Sequence, residues 1–224
     1  MEQYEIIIMV LGCESEPFIS IENDGIRKTW VNNCPPNVKI IYYYGHNDET
    51  ILKNDKLYVK SPEGLYNIGY KTIESFKYIK ENYKYQYIFR TNISSYIDIK
   101  LLLKYIEDKP KENFYNGIVG NHAGIIFSSG AGYFLTPDLI ELVLKNQNEW
   151  NHSFIDDVSL ALLLGNHGIY PIGGMDRFDI INNNMFIPNN YYHYRLKDNY
   201  GNRNNDIIRF HMVHNIKNEN KNSN

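Results

Sequence analysis

Residues 128–165 read SSGAGYFLTPDLIELVLKNQNEWNHSFIDDVSLALLLG. The glycines of Gly130-Ala131-Gly132 predict a tight turn and let a backbone come close to a ligand. Thr136-Pro137 then predicts a helix start, with threonine as cap and proline at the first helical position. A second helix is predicted from about Phe154 to Leu164, ending at Gly165, with Asp156-Asp157 at its mouth. A carboxylate there faces the positive end of the helix dipole, so these acids are either a helix cap with a solvated neighbour or a general base. Adjacent residues of one helix cannot flank a bond from both sides, which argues against a two-carboxylate glycosidase.

Upstream, Glu5 to Leu11 is a continuous apolar run ending at Gly12, the pattern of a buried parallel strand feeding a loop. Strands are also predicted at Val38 to Tyr44, Leu57 to Val59, Tyr85 to Phe89, Phe114 to Val119, Ile125 to Phe127 and Ile169 to Ile172. Ile68, Thr72, Phe76 and Ile79 mark an amphipathic helix over Leu65 to Tyr83, and Asp98 to Glu107 reads as another. Helical spacing also recurs across Ile19 to Asn33, against the interruption of Gly25. Strands alternating with helices predict an α/β fold: one Rossmann-like domain over residues 1–215, with a mixed, mainly parallel central sheet flanked by helices. Residues 216–224, polar and Asn-rich, are expected as a disordered tail.

In such sheets ligands sit at the carboxyl ends of the strands. The candidates there are Gly12, Cys13 and Glu14 after the first strand, Arg90, Thr91, Asn92, Ser94 and Ser95 after the third, and Gly130 to Gly132. Arg27 belongs to IRKTW, on the helix after the first loop, where its planar fork suits a phosphate or base. A solvated helix charge is the alternative for Arg27, and a helix cap by Ser94, Ser95 or Asp98 is the alternative for the loop after the third strand. Late in the chain, residues 191–215 bring together His193, Arg195, Lys197, Arg203, Arg209, His211 and His214. His211 and His214 alone do not complete a metal site.

The net charge is −3 and the pI near 6.2, so nothing suggests a nucleic-acid partner. Tyrosine dominates the aromatics, 20 against 10 Phe and 2 Trp, and gives an apolar core many hydroxyls to satisfy. Only Cys13 and Cys34 are present, too few for a disulfide framework, and no window approaches a membrane span. A cytoplasmic protein is the expectation.

IRKTW, YIFRTNISSYID, FSSGAGYFLT and FIDDVSLALLLG occur in that order within residues 5–175. Together they resemble the Arg-x-Thr-Trp helix, acidic-motif strand, Ser-Gly-x-Gly-Tyr segment and acidic-acidic-Val turn of the β1,3-glycosyltransferase and Fringe family. The resemblance implies a GT-A type fold, a nucleotide-sugar donor such as a UDP-sugar, a glycan or other hydroxyl acceptor, and inversion at the anomeric carbon. Carried over, Arg27 would contact the donor, Gly130, Ala131 and Gly132 would line the sugar pocket, Asp157 would be the base and Asp156 its support. Asn92-Ile93-Ser94 stands where the family has its metal-binding Asp-x-Asp triplet. No metal is therefore expected, with Arg195, Arg203 and His193 supplying positive charge to the leaving diphosphate; Mn2+ held through His211 is the alternative. The absence of the family's usual anchor and disulfides fits a microbial or viral member. A sugar- or nucleotide-binding protein without turnover and a divergent nucleotidyltransferase are the competing readings, the latter disfavoured by the missing acids.

Overall fold

The computed structural model describes residues 1–46, 48–174, 177–197 and 202–222. In chain order the strands are β1 (Glu2–Leu11), β2 (Val38–His46), β3 (Ile51–Lys53), β4 (Lys56–Lys60), β5 (Tyr83–Asn92), β6 (Ser95–Ile97), β7 (Tyr115–His122), β8 (Ile125–Leu135), β9 (Arg177–Asp179) and β10 (His193–Arg195). The helices are α1 (Phe18–Ser20), α2 (Ile68–Asn82), α3 (Ile99–Ile106), α4 (Pro137–Lys145), α5 (Asp156–Asn166) and α6 (Asp206–Asn222). The chain gathers into two compact units. The first contains Met1–Cys13, Pro35–Asn92 and Pro110–Met175, and the second Glu14–Cys34, Ile93–Lys109 and Asp176–Asn224.

The first unit is built on a seven-stranded mixed sheet in the order β3-β4-β2-β1-β5-β8-β7. β4, β2, β1 and β5 are parallel, and β3, β8 and β7 are antiparallel to their neighbours. The central strands are apolar because helices cover them: Ile6 to Val10 are fully buried, and Phe76, Ile79, Ile140, Val143, Leu160 and Leu163 share their core. β1 lies between β2, which follows it in sequence, and β5, which follows β4 on the far side. The carboxyl ends of β1 and β5 therefore form a topological switch point.

Three expectations fail in this unit. Gly130 to Gly132 do not form a turn; they lie inside β8, where Gly132 pairs with Thr91 of β5. The ladder between β7 and β8 passes from Gly117–Tyr133 to Val119–Ser128, so β8 spends the extra residues in a bulge containing Gly130. Thr136 precedes α4 with Pro137 at its start, but its hydroxyl accepts the Phe114 N–H at 3.1 Å rather than a helix N–H. The strand expected at Ile169 to Ile172 is reduced to one bridge between Ile172 and Asn116.

The second unit holds the three-stranded sheet β6-β10-β9, α3 and α6. Asp98 caps α3 by accepting the Leu101 N–H at 3.1 Å. The Ile19 to Asn33 segment is a short turn of α1 extended by a π-helix, Ile21–Ile26, and later a 3-10 turn, Trp30–Asn33. Gly25 is required because a Cβ there would come within 2.5 Å of the Phe210 ring. α6 continues through Asn222, into the stretch 216–224 expected to be a disordered tail, of which residues 223 and 224 lie outside the described residues. Buried Phe210 and Val213 anchor it, and Lys217 reaches Asp98 at 2.8 Å and the carbonyls of Asn189 and Tyr191. These contacts outweigh the weak helix propensity of the Asn-rich end. Among the described residues no helix is long and apolar enough to cross a membrane.

Candidate functional site

At the carboxyl edge of the first unit's sheet, a guanidinium, two carboxylates and the backbone N–H and C=O of one glycine form a closed set. Arg90, near the end of β5, is 2% exposed. Its Nε donates to the Tyr43 hydroxyl at 3.0 Å, Nη1 to the Gly130 carbonyl, and Nη2 to Asp156 Oδ2 at 2.6 Å. Burial works against its charge, but Asp156, helped by the Tyr43 and Tyr133 phenol groups, prevails and holds it protonated. The same residue, Gly130, donates its N–H to Asp157 Oδ2 at 2.6 Å, while Asp157 Oδ1 accepts from Val158 N–H at 2.9 Å. Gly130 thus joins the cation to the second acid through its carbonyl and its amide.

The acids are not helix caps. The capping position of α5 is Ile155, with no side-chain cap, and Asp156 and Asp157 are its first two residues, both buried. Burial, then the neighbouring Asp156, pushes the Asp157 carboxyl above the usual carboxylate range; the Gly130 N–H, Arg90 and the Val158 N–H act in the opposite direction. A carboxylate adjusted upward by burial, and close to a cation that limits the shift, is the environment expected of a general base.

The glycine is sterically necessary. A Cβ on Gly130 would stand 2.8 Å from Arg90 Nη1 and 3.0 Å from Asp157 Oδ2. Gly130→Ala should therefore displace both groups and destabilise the fold by about 1–3 kcal/mol, measured by urea denaturation; an unchanged midpoint would show that the bulge accommodates a methyl group.

Several residues expected to hold the donor are engaged elsewhere. Arg90 is not available to a ligand, because all three of its nitrogens have internal partners. Thr91 is fully buried and donates to the Ala131 carbonyl at 2.7 Å, which ties β5 to β8. Gly12 gives up its side chain to the Tyr44 ring, which occupies the place a Cβ would take. Cys13 is half-buried, Asn92 ends β5, and Ala131 and Gly132 are buried strand residues.

In the second unit, Glu14 is exposed and Arg27 pairs with Glu22 at 2.9 Å. Ser94 donates to Asp206 and accepts from Arg203, which also faces Asp206 at 3.5 Å. Ser95 shares a 3.0 Å hydrogen bond with His193. His193 does not supply the expected positive charge: it is fully buried, and burial, with Arg177 and Arg195 adding to it, lowers its pKa well below the ordinary histidine value. Arg195 and Arg177 both pair with Asp179, at 3.2 and 2.7 Å. His211 donates from Nε2 to the Asp24 carbonyl at 2.9 Å, so that nitrogen offers no lone pair to a metal. With an amide at 92 and a committed hydroxyl at 94, the residues in the place of the acidic triplet do not fit a hard divalent cation. Among the described residues no three His, Cys, Asp or Glu side chains gather as a metal site.

A cleft of about 480 Å³ opens at the other edge of the sheet, by Met1, Tyr83 and Pro137. It mixes Lys80, Lys84 and Lys111 with Glu112, Asp138 and Glu141, and lacks the concentration of buried charge found around Arg90. Tyr43, Arg90's partner from β2, was not singled out by the sequence; the only signal for it is the general rule that a tyrosine inside an apolar strand needs a place for its hydroxyl. Comparison with protein-family models and with curated proteins returns no match.

Proposed function

We propose that the chain is an inverting glycosyltransferase that moves a sugar from a nucleotide donor, UDP-linked, to a hydroxyl, with Asp157 as general base. The observation that carries this reading is the Asp157 carboxylate, buried at the carboxyl edge of a largely parallel sheet, held by two backbone N–H groups and adjusted by Asp156 and Arg90. The order of motifs along the chain supports it. In the reaction, Asp157 accepts the proton of an acceptor hydroxyl as its oxygen bonds to the anomeric carbon. The bond from that carbon to the diphosphate breaks, and the nucleotide leaves with the electron pair. Asp156, fixed by Arg90, positions the base.

A panel of nucleotide sugars and free nucleotides in a thermal-shift assay tests this, because a ligand bound only to the folded state raises apparent stability. Stabilisation by UDP-sugars supports the reading, and no response to any nucleotide sugar contradicts it. Metal is read as dispensable, on the amide and hydroxyl at 92 and 94; turnover should survive EDTA, and strict manganese dependence would overturn that part.

The raised Asp157 pKa sets a pH signature. The base works only when ionised, so the acid limb of kcat/KM should lie above the pH of an unperturbed carboxylate and disappear in Asp157→Asn. A pH–rate profile from pH 4 to 9 checks this; a limb at the ordinary carboxylate pKa would count against the assignment.

A further inference from the structure

We propose that Tyr70, backed by His152, forms a stacking platform for the ring of a saccharide acceptor; this rests on the glycosyl-transfer reading and supplies its acceptor class. β4 runs parallel to β2 and ends at Lys60 beside His46, so α2 starts from the carboxyl edge of the sheet before returning to the start of β5. α5 also starts at that edge, since Asp156 meets Arg90 near the end of β5. Tyr70, in the first turn of α2, and His152, four residues before Asp156, therefore lie on the same edge as the base.

Their rings are stacked, with centroids 3.5 Å apart and planes within 5°. His152 covers one side of Tyr70, yet Tyr70 remains 46% exposed. Gly69 makes the seat possible: a Cβ there would stand 2.6 Å from Trp150 Nε1 and 3.3 Å from His152 Nδ1. Trp150 is 5% exposed, and its Nε1 and His152 Nδ1 are buried without hydrogen-bond partners among the described residues. Leu65 and Tyr66, in the 3-10 turn just before α2, are 68% and 88% exposed.

A ring clamped on one side and open on the other offers rigid, amphipathic area at little conformational cost. A pyranose matches it, with an apolar C–H face for the ring and hydroxyls for the polar surroundings. A nucleobase would also stack on an aromatic ring, but the short loop from His152 leads directly to the base, and the group that must meet the base is the acceptor hydroxyl.

The test uses the full chain with lactose, cellobiose and chitobiose as probes in saturation-transfer NMR, and UDP in parallel. The expected result is binding of at least one disaccharide, weakened tenfold or more in Tyr70→Ala and retained in Tyr70→Phe, with UDP binding unchanged. Tyr70→Phe keeps the ring and so controls for folding. Disaccharide binding indifferent to Tyr70→Ala, no disaccharide binding, or loss of UDP binding in Tyr70→Ala would each overturn the platform, the last by showing that it serves the nucleobase. Tyr70-dependent disaccharide binding without nucleotide-sugar turnover would leave the platform standing and remove the transferase reading.

Discussion

Asp157→Asn is expected to lower nucleotide-sugar turnover by about 10²–10⁴-fold, the range for losing a general base, while the folded protein becomes no less stable. The two halves of this expectation have one cause. Folding raises the pKa of Asp157, chiefly by burial and then by Asp156. For such a group the stabilising contribution is fully present below the unfolded-state pKa and is lost as the pH rises through the folded one. At neutral pH the ionised carboxylate therefore opposes folding, and a neutral amide removes that cost. The amide oxygen can still accept the Gly130 N–H, which meets Asp157 Oδ2 in the native protein, but the amide NH2 then faces the Val158 N–H in place of Oδ1 and offsets part of that gain. Thermal melts and steady-state kinetics on the same preparations check both halves. A melting temperature well below that of the native protein, with turnover lost, would make Asp157 a structural residue instead.

Arg90→Met should have the largest effect on stability. Arg90 and Asp156 meet at 2.6 Å with side chains 2% and 8% exposed. Removing one partner of a buried pair leaves the other uncompensated, at a cost of about 3–5 kcal/mol. At this chain length that corresponds to roughly 10 °C in Tm. Arg90→Lys should recover little, because a single ammonium cannot reach Tyr43, Gly130 and Asp156 together as the fork does. Adding Asp156→Leu to Arg90→Met should restore part of the loss, and a double-mutant cycle by denaturant titration measures it. Additive losses would mean that the two side chains do not act as a pair.

The sequence made the α/β class legible because its signals are local. The apolar run before Gly12, the 3.6-residue repeat of α2 and the cap at Asp98 each depend on residues a few positions apart. It also placed Asp156 and Asp157 correctly in the first turn of α5. What it missed depends on pairing across the chain. Glycines at 130 and 132 have turn chemistry locally, and only the ladder between β8 and β5 makes them strand. Arg90 sits at a strand end, the usual place for a ligand-facing cation, but its partners Tyr43 and Asp156 lie 47 and 66 residues away. A fully buried arginine is rare unless paired, and the pair cannot be seen in one segment. His193 was misjudged for the same reason: its charge state depends on burial in the β6-β10-β9 sheet.

In the proposed reaction Asp157 deprotonates an acceptor for direct displacement at the anomeric carbon. The most direct test is proton NMR of the first sugar product formed from α-linked UDP-sugars, read before mutarotation. The native protein should give a β-anomeric product and Asp157→Asn none. A retained α product, or β product formed equally by Asp157→Asn, would contradict it.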